Sequence, residues 1–168
     1  MRPIAIVVTG VFALLAVSLG EAKTVAVPQK EPLFRISIPD SWSATWDRDG
    51  SLTCMPPNHS KYVSVVPSEN VNTKSELQAQ LTRTARDAAQ NAKMKDAKLG
   101  RITETNRSNG LSLMSITAQG ATNGKPMVFR LVAFAPKKDN YFTVIALEPA
   151  EAKDKEISAI INSISSTR

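Results

Sequence analysis

The sequence predicts a single α+β domain, a three-layer α/β/α sandwich whose mainly antiparallel sheet has a helix on each face. Two apolar runs, 127–135 and 141–147, are joined by a polar turn, which is typical of a β-hairpin. Both runs are apolar on both sides, so both faces of the hairpin need a cover. One helix in the middle of the chain and one at its end are available to provide it.

The N-terminus has the composition of a secretory signal peptide over residues 1–22. A basic start at Arg2 precedes an apolar, uncharged stretch, and Gly20 and Ala22 offer small residues for cleavage. The alternative is an uncleaved anchor, but the stretch is shorter than the ~18–20 residues that a spanning helix needs. We therefore expect a periplasmic or secreted protein, cleaved near Gly20 or Ala22, without a transmembrane segment after cleavage.

The mature chain is expected to begin with an extended lead-in at 23–32 and to form one domain over 33–168. Apolar alternation and turn signals predict strands before and after the first helix. They are expected at 33–38, 41–46, 51–55, 61–66, 100–106 and 111–117, ahead of the hairpin described above. Asn-Gly pairs at 109–110 and 123–124 favour tight turns between the later strands.

The two helices are predicted from capping and from apolar periodicity. Thr73 and Glu76 form a capping-box pattern. An alanine-rich stripe follows at Leu77, Leu81, Ala85, Ala88 and Ala92, and the helix is expected to end near Met94 or Lys95. The last helix should begin at Pro149, and its core-facing stripe is Ile157, Ile160, Ile161 and Ile164.

Two short segments carry a resemblance to a known family. Residues 34–42 lead a strand into a Pro-x-x-Trp corner, and residues 160–164 close the chain after an aromatic-rich strand. In these features the chain resembles PsbP-like and DcrB-like proteins. The resemblance implies the predicted sandwich and an envelope accessory or binding protein without a catalytic centre. The lipid-bearing cysteine of DcrB-like lipoproteins is missing, and no ligand residue can be carried over.

Charge and cysteine content restrict the classes of function. The formal net charge is +6, which suits contact with phospholipid headgroups or cell-wall polymers, although solubility alone explains it too. No stripe of basic and aromatic residues is suited to stacking bases, so we expect no nucleic-acid partner. Cys54 is the single cysteine, and the fold therefore depends on its core without an internal disulfide.

Candidate chemistry concentrates between Trp42 and His59. Cys54 and His59 lie five residues apart and suggest a catalytic pair, but no orienting third group is identifiable. Cys54, Met55 and His59 are also donors that suit copper. Because strand alternation and two prolines separate these three side chains, we predict no tight metal site and no cofactor. Trp42 and Trp46 either line a ligand groove or pack over the sheet.

Nearby carboxylates and one arginine complete the candidates. Asp40, Asp47 and Asp49 could act as acid–base groups or bind a cation, but they flank turns, where aspartate is common. Arg130 interrupts an apolar strand, and the hairpin register places it diagonal to Glu148. Arg130 is therefore either paired with Glu148 or available to an anion.

The function that these observations favour is non-catalytic. We expect an exported accessory or binding protein that acts through contacts with another envelope protein. The alternative is a small-molecule or metal-responsive binding protein, or a small hydrolase, that uses the Trp42–His59 region. A pocket that gathers Trp42, Cys54 and His59 would favour the alternative.

Overall fold

The computed structural model describes residues 21–150 and 155–167. Strands make up 50% of these residues and helices 18%. The strands are β1 (Ala22–Val27), β2 (Phe34–Pro39), β3 (Ser43–Trp46), β4 (Leu52–Met55), β5 (Tyr62–Ser68), β6 (Lys95–Leu99), β7 (Thr103–Asn106), β8 (Ser112–Thr122), β9 (Lys125–Lys137), β10 (Asn140–Pro149) and β11 (Ser165–Ser166). The helices are α1 (Lys74–Asn91) and α2 (Lys155–Asn162). The predicted signal peptide, apart from its last two residues, lies outside the described residues. The prediction that the last helix begins at Pro149 is wrong, because Pro149 ends β10 and α2 is described from Lys155.

An antiparallel sheet of eight strands forms the centre of the molecule. Its order is β3-β4-β5-β10-β9-β8-β6, and β7 pairs with β8 beside β6. The predicted hairpin is confirmed as β9 and β10, with Arg130 opposite Ala146 as expected. Asn123 and Gly124 take positive φ angles of 52° and 75° between β8 and β9. Because asparagine and glycine tolerate the left-handed region, this pair allows the tight turn.

Helix α1 covers one face of the large sheet. Thr73 caps it and forms the predicted capping box with Glu76. The helix buries Leu77, Leu81, Ala85 and Ala89 against a set of sheet residues that includes Met114, Ile116, Phe129 and Leu131. Alanines on the contact face let the helix lie close to the strands. The helix ends at Asn91, earlier than expected, because the chain turns through Lys93, at φ 50°, into the polar edge strand β6.

The opposite face shows that the predicted α/β/α sandwich is wrong. This face is covered by a second sheet of three strands, in the order β1-β2-β11, and the short helix α2 lies in the same layer. Phe34 of β2 packs edge-on against Phe134 and Phe142, each with ring centroids 4.9 Å away. The fold is therefore β-rich. The expected lead-in supplies β1, which pairs with β2 along its length and buries Val27.

The second layer does not reach the edge of the large sheet. The core on this side includes residues from β4, β5, β9 and β10, with Leu113 as the member from β8. Further along β8, on the same face, Ser115 and Thr117 are only half-buried, and all four residues of β7 are exposed. A polar strip of sheet therefore lies open beside α2.

Candidate functional site

The open strip forms a cleft of about 580 Å³. Strand β7 and the residues that flank it make one wall, β8 and β9 make the floor, and α2 makes the other wall. Side chains of β8 alternate here, since Met114, Ile116 and Ala118 are buried under α1 while Ser115 and Thr117 face the cleft. The lining includes Arg101, Thr103, Thr105, Arg107, Leu113, Ser115, Thr117, Arg130, Val132, Ser158, Ile161 and Asn162.

Arg130 projects from the floor and is held from two sides. Its Nη2 donates to Oε1 of Glu148 at 2.5 Å, and its Nη1 donates to Oγ of Ser158 at 3.1 Å. The Glu148 side chain is 3% exposed, and the Arg130 side chain is 24% exposed. The predicted pairing with Glu148 is thus confirmed, and the partly exposed guanidinium also lines the cleft. A buried carboxylate beneath a guanidinium fixes its orientation.

Thr117 lies beside Arg130 and faces the same side of the sheet, because the two are cross-strand partners in β8 and β9. On the other side of Thr117 the chain passes at Gly100, whose N–H donates to the Thr117 carbonyl oxygen at 2.8 Å. A Cβ at Gly100 would lie 2.8 Å from Thr117 Oγ1. The missing side chain therefore leaves room for that hydroxyl, and Arg101 follows directly on the cleft wall.

Arg107 closes the far end of the cleft and fastens α2. Its guanidinium donates to the carbonyl oxygens of Ile161 at 3.0 Å and of Asn162 at 3.2 Å, and to Asn162 Oδ1 at 3.1 Å. A cation at a helix C-terminus is favourable because carbonyl groups there carry partial negative charge. Burial lowers the pKa of Arg107, yet arginine stays charged at neutral pH. Arg107 thus fixes the wall that α2 contributes.

The described side chains of this cleft are suited to binding anions. Guanidinium groups bind phosphates and carboxylates through fixed pairs of N–H donors, and they do not exchange protons near neutral pH. The hydroxyls of Thr103 and Ser115 are 2.8 Å apart and bridge the wall to the floor. Further hydroxyls come from Thr105, Thr117 and Ser158. The cleft therefore presents cationic and hydroxyl donors over a partly apolar floor.

The sequence-predicted residues other than Arg130 lie elsewhere. Trp42 is 2% exposed in the core, where Lys61 Nζ lies 5.7 Å from its ring centroid. Trp46 is half-buried at the end of edge strand β3. His59 is exposed, with φ 51°, in the loop between β4 and β5. Cys54 is fully buried, and burial raises its pKa to about 11. The cleft includes none of these four residues.

The aspartates of the same region serve turns. Asp49 Oδ1 accepts the N–H of Ser51 at 2.9 Å, and this hydrogen bond lowers the Asp49 pKa. Asp47 N–H donates to the Ser51 carbonyl oxygen at 2.9 Å, so both residues hold the β3–β4 hairpin together. Within 21–150 and 155–167, no group of three or more His, Cys, Asp or Glu side chains could hold a metal ion.

A second cleft of about 500 Å³ lies where the end of α1 meets the sheet. Tyr62, Phe129, Ile145 and Leu147 make an apolar floor, and Asp87 and Asn91 belong to its rim.

Of the helices that the structure describes, none is both long and apolar enough to cross a membrane.

Sequence reasoning found Arg130 but missed Arg101, Arg107 and Thr117. Arg101 and Thr117 lie in the predicted strands 100–106 and 111–117, and Arg107 lies between those strands. Nothing in the spacing of these three residues connects them to the last helix. Alternation in 111–117 does mark Ser115 and Thr117 as one polar face. Whether that polar face is covered or exposed, however, depends on where α2 ends.

Comparison with known proteins supports the fold alone. The chain matches no family model and no curated protein. A protein of Bacteroides thetaiotaomicron has a similar structure, with a TM-score of 0.54 and 14% identity over 87% of this chain. This chain covers 48% of that protein, about half its length.

LpqN of Mycobacterium tuberculosis has a similar structure over most of this chain. The TM-score is 0.52 at 13% identity, and the match covers 89% of this chain and 93% of LpqN. LpqN is described as involved in cell envelope biogenesis. Neither structure is described as PsbP-like or DcrB-like, so the family resemblance stays a prediction.

Proposed function

We propose that this protein is an exported, non-catalytic binding protein of the bacterial envelope, and that it binds another envelope component in the cleft between β7, β8 and α2. The observation that carries the proposal is the composition of this cleft. Among the described residues that line it, the charged side chains are three arginines, which bind anionic and polar groups without transferring protons. A positively charged cleft also attracts partners with negative charge.

Two further observations support the location. Residues 1–22 have the pattern of a secretory signal, and a structural neighbour, LpqN, is described as involved in cell envelope biogenesis.

The partner that we expect first is another envelope protein. An open cleft on a rigid sheet suits such contact, because β8 and β9 are held by pairing along their length and by α1 behind them.

Export is tested by mass spectrometry of the protein isolated from its native host. The mature chain should begin near Glu21 or Lys23 and should be released with the periplasmic or secreted fraction. A chain that keeps Met1 and sediments with the membranes would show that the N-terminus is an anchor.

Binding in the cleft is tested by photo-crosslinking in intact cells. A photoreactive amino acid replaces exposed Thr105 on the cleft wall, and a matched variant carries it at exposed Arg83 on α1. We expect a discrete adduct with an envelope protein from position 105 and none from position 83. Equal adducts from both positions, or none from position 105, would refute binding in the cleft.

A further inference from the structure

We propose that one corner of the cleft, formed by Arg101, Thr117, Arg130 and Ser158, is a binding site for the phosphate group of a phosphate ester. The inference goes beyond the proposed function, since it concerns a ligand chemistry and holds whether or not a protein partner exists. All four residues line the cleft. They come from four separate segments of the chain, and the tertiary structure brings them together.

The corner has a definite geometry. Thr117 and Arg130 are cross-strand partners, and Arg101 follows Gly100, which contacts Thr117 from the opposite side. Adjacent strands lie about 4.8 Å apart, so the two arginine backbones flank Thr117 at a separation of roughly 10 Å. Long guanidinium side chains can converge on one anion across that distance, with the Thr117 hydroxyl between them.

Two contacts fix the guanidinium group of Arg130 in an orientation suited to binding. Glu148 lies beneath it and is buried, and Ser158 accepts a second N–H. The remaining exposed part of the guanidinium faces the cleft. Ser158 keeps its own hydroxyl proton as a donor while it accepts from Arg130. Glu148 neutralises the positive charge of Arg130. Arg101 is exposed, and its guanidinium adds a second positive charge to the corner.

The number and placement of donors favour phosphate over carboxylate. One guanidinium satisfies a carboxylate through two parallel hydrogen bonds in a plane. Here two guanidiniums and two hydroxyls surround the corner, which suits oxygens arranged tetrahedrally. The cleft, at about 580 Å³, is also much larger than a phosphate ion. Thr103, Thr105 and Ser115 continue along it and suit a hydroxylated organic group, so the ligand class is a phosphate ester.

The inference is tested by NMR titration of the mature protein at constant ionic strength, with inorganic phosphate and acetate as separate probes. Phosphate should shift the amide signals of Gly100 and Thr117 in a saturable way, and acetate should bind at least fivefold more weakly. The variants Arg101→Gln and Thr117→Val should each weaken phosphate binding at least fivefold. Arg83→Gln removes an exposed arginine from the opposite face and should leave it unchanged.

Several results would overturn the inference. The first is a phosphate titration that does not saturate, and the second is an affinity for acetate equal to that for phosphate. The third is an equal loss of phosphate affinity in Arg83→Gln and Arg101→Gln. Unchanged circular dichroism and melting temperature in Arg101→Gln exclude misfolding as the cause, because Arg101 is exposed.

Sedimentation with phosphatidylglycerol vesicles distinguishes two sources of the phosphate. Binding that Arg101→Gln reduces and Arg83→Gln does not indicates a lipid headgroup. Phosphate binding without such sedimentation indicates a soluble ester. Failure of all phosphate probes leaves a crosslink from Thr105 unaffected, so this inference and the proposed function fail separately.

Discussion

The ion pair between Arg130 and Glu148 predicts unequal effects when each partner is removed. The Glu148 side chain is 3% exposed, whereas the Arg130 side chain is 24% exposed and also donates to Ser158. Arg130→Met removes the guanidinium that contacts the buried carboxylate of Glu148. We therefore expect the free energy of unfolding to fall by about 3–5 kcal/mol, the usual cost of breaking a buried ion pair from one side.

Removing the acid should cost less. In Glu148→Leu, Arg130 keeps Ser158 and can be solvated through the cleft, so the loss should be about 1–2 kcal/mol, comparable to a lost charged hydrogen bond. In the double variant neither charge is left in the sheet. Because apolar replacement of a whole buried pair is often close to neutral, the double variant should be at least about 1 kcal/mol more stable than Arg130→Met.

Urea unfolding followed by tryptophan fluorescence measures these differences, since Trp42 is buried in the core. The four proteins form a double-mutant cycle, which isolates the coupling between the two side chains. If Glu148→Leu were as destabilising as Arg130→Met, the carboxylate would not be the less solvated partner, and our description of the cleft floor would be wrong. Purely additive losses would show that the pair contributes no coupling.

Three further predictions concern the core and the thiol. Phe129→Ala should lower the free energy of unfolding by about 3–5 kcal/mol, because the Phe129 side chain is 2% exposed in the core beneath α1. The control Arg83→Ala, at an exposed position, should cost under about 0.5 kcal/mol. Equal losses of stability in urea unfolding would contradict the assignment of the core. Gly120→Ala should cost about 1–3 kcal/mol, since the added Cβ would lie 2.6 Å from the backbone oxygen of Lys95; an unchanged melting temperature would show that β6 can shift. Cys54 has its pKa raised to about 11 by burial, so Ellman's reagent at pH 8 should modify it only in urea, and rapid labelling of the native protein would show that the site opens. Because the pKa of Cys54 is higher in the folded state, the stability that the neutral thiol contributes is complete below pH 9.0, the ordinary pKa of the thiol, and is lost as the pH rises towards about 11.

Local patterns in the sequence determined much of the secondary structure. The β9–β10 hairpin, its register at Arg130 and the capped helix α1 depend on residues that are close in the chain, so alternation, turn residues and capping motifs predict them. The pairing of Arg130 with Glu148 followed from the same register. By contrast, β6 is short and polar, and β1 is short and only partly apolar. The pairing of β6 with β8 and of β1 with β2 depends on tertiary contacts that local propensity does not reveal.

The tertiary structure alone decided what covers the second face of the sheet, and with it where the cleft lies. An apolar face requires a cover but does not specify a helix or a sheet, and both alternatives bury the same side chains of β9 and β10. The alternating strand β2 could be placed in the main sheet or outside it, and only the three-dimensional packing of Phe34 on Phe134 and Phe142 puts it in a second layer. That layer ends short of β7, so a polar face of β8, readable from the sequence, becomes the floor of a cleft that joins Arg101, Arg107 and Arg130.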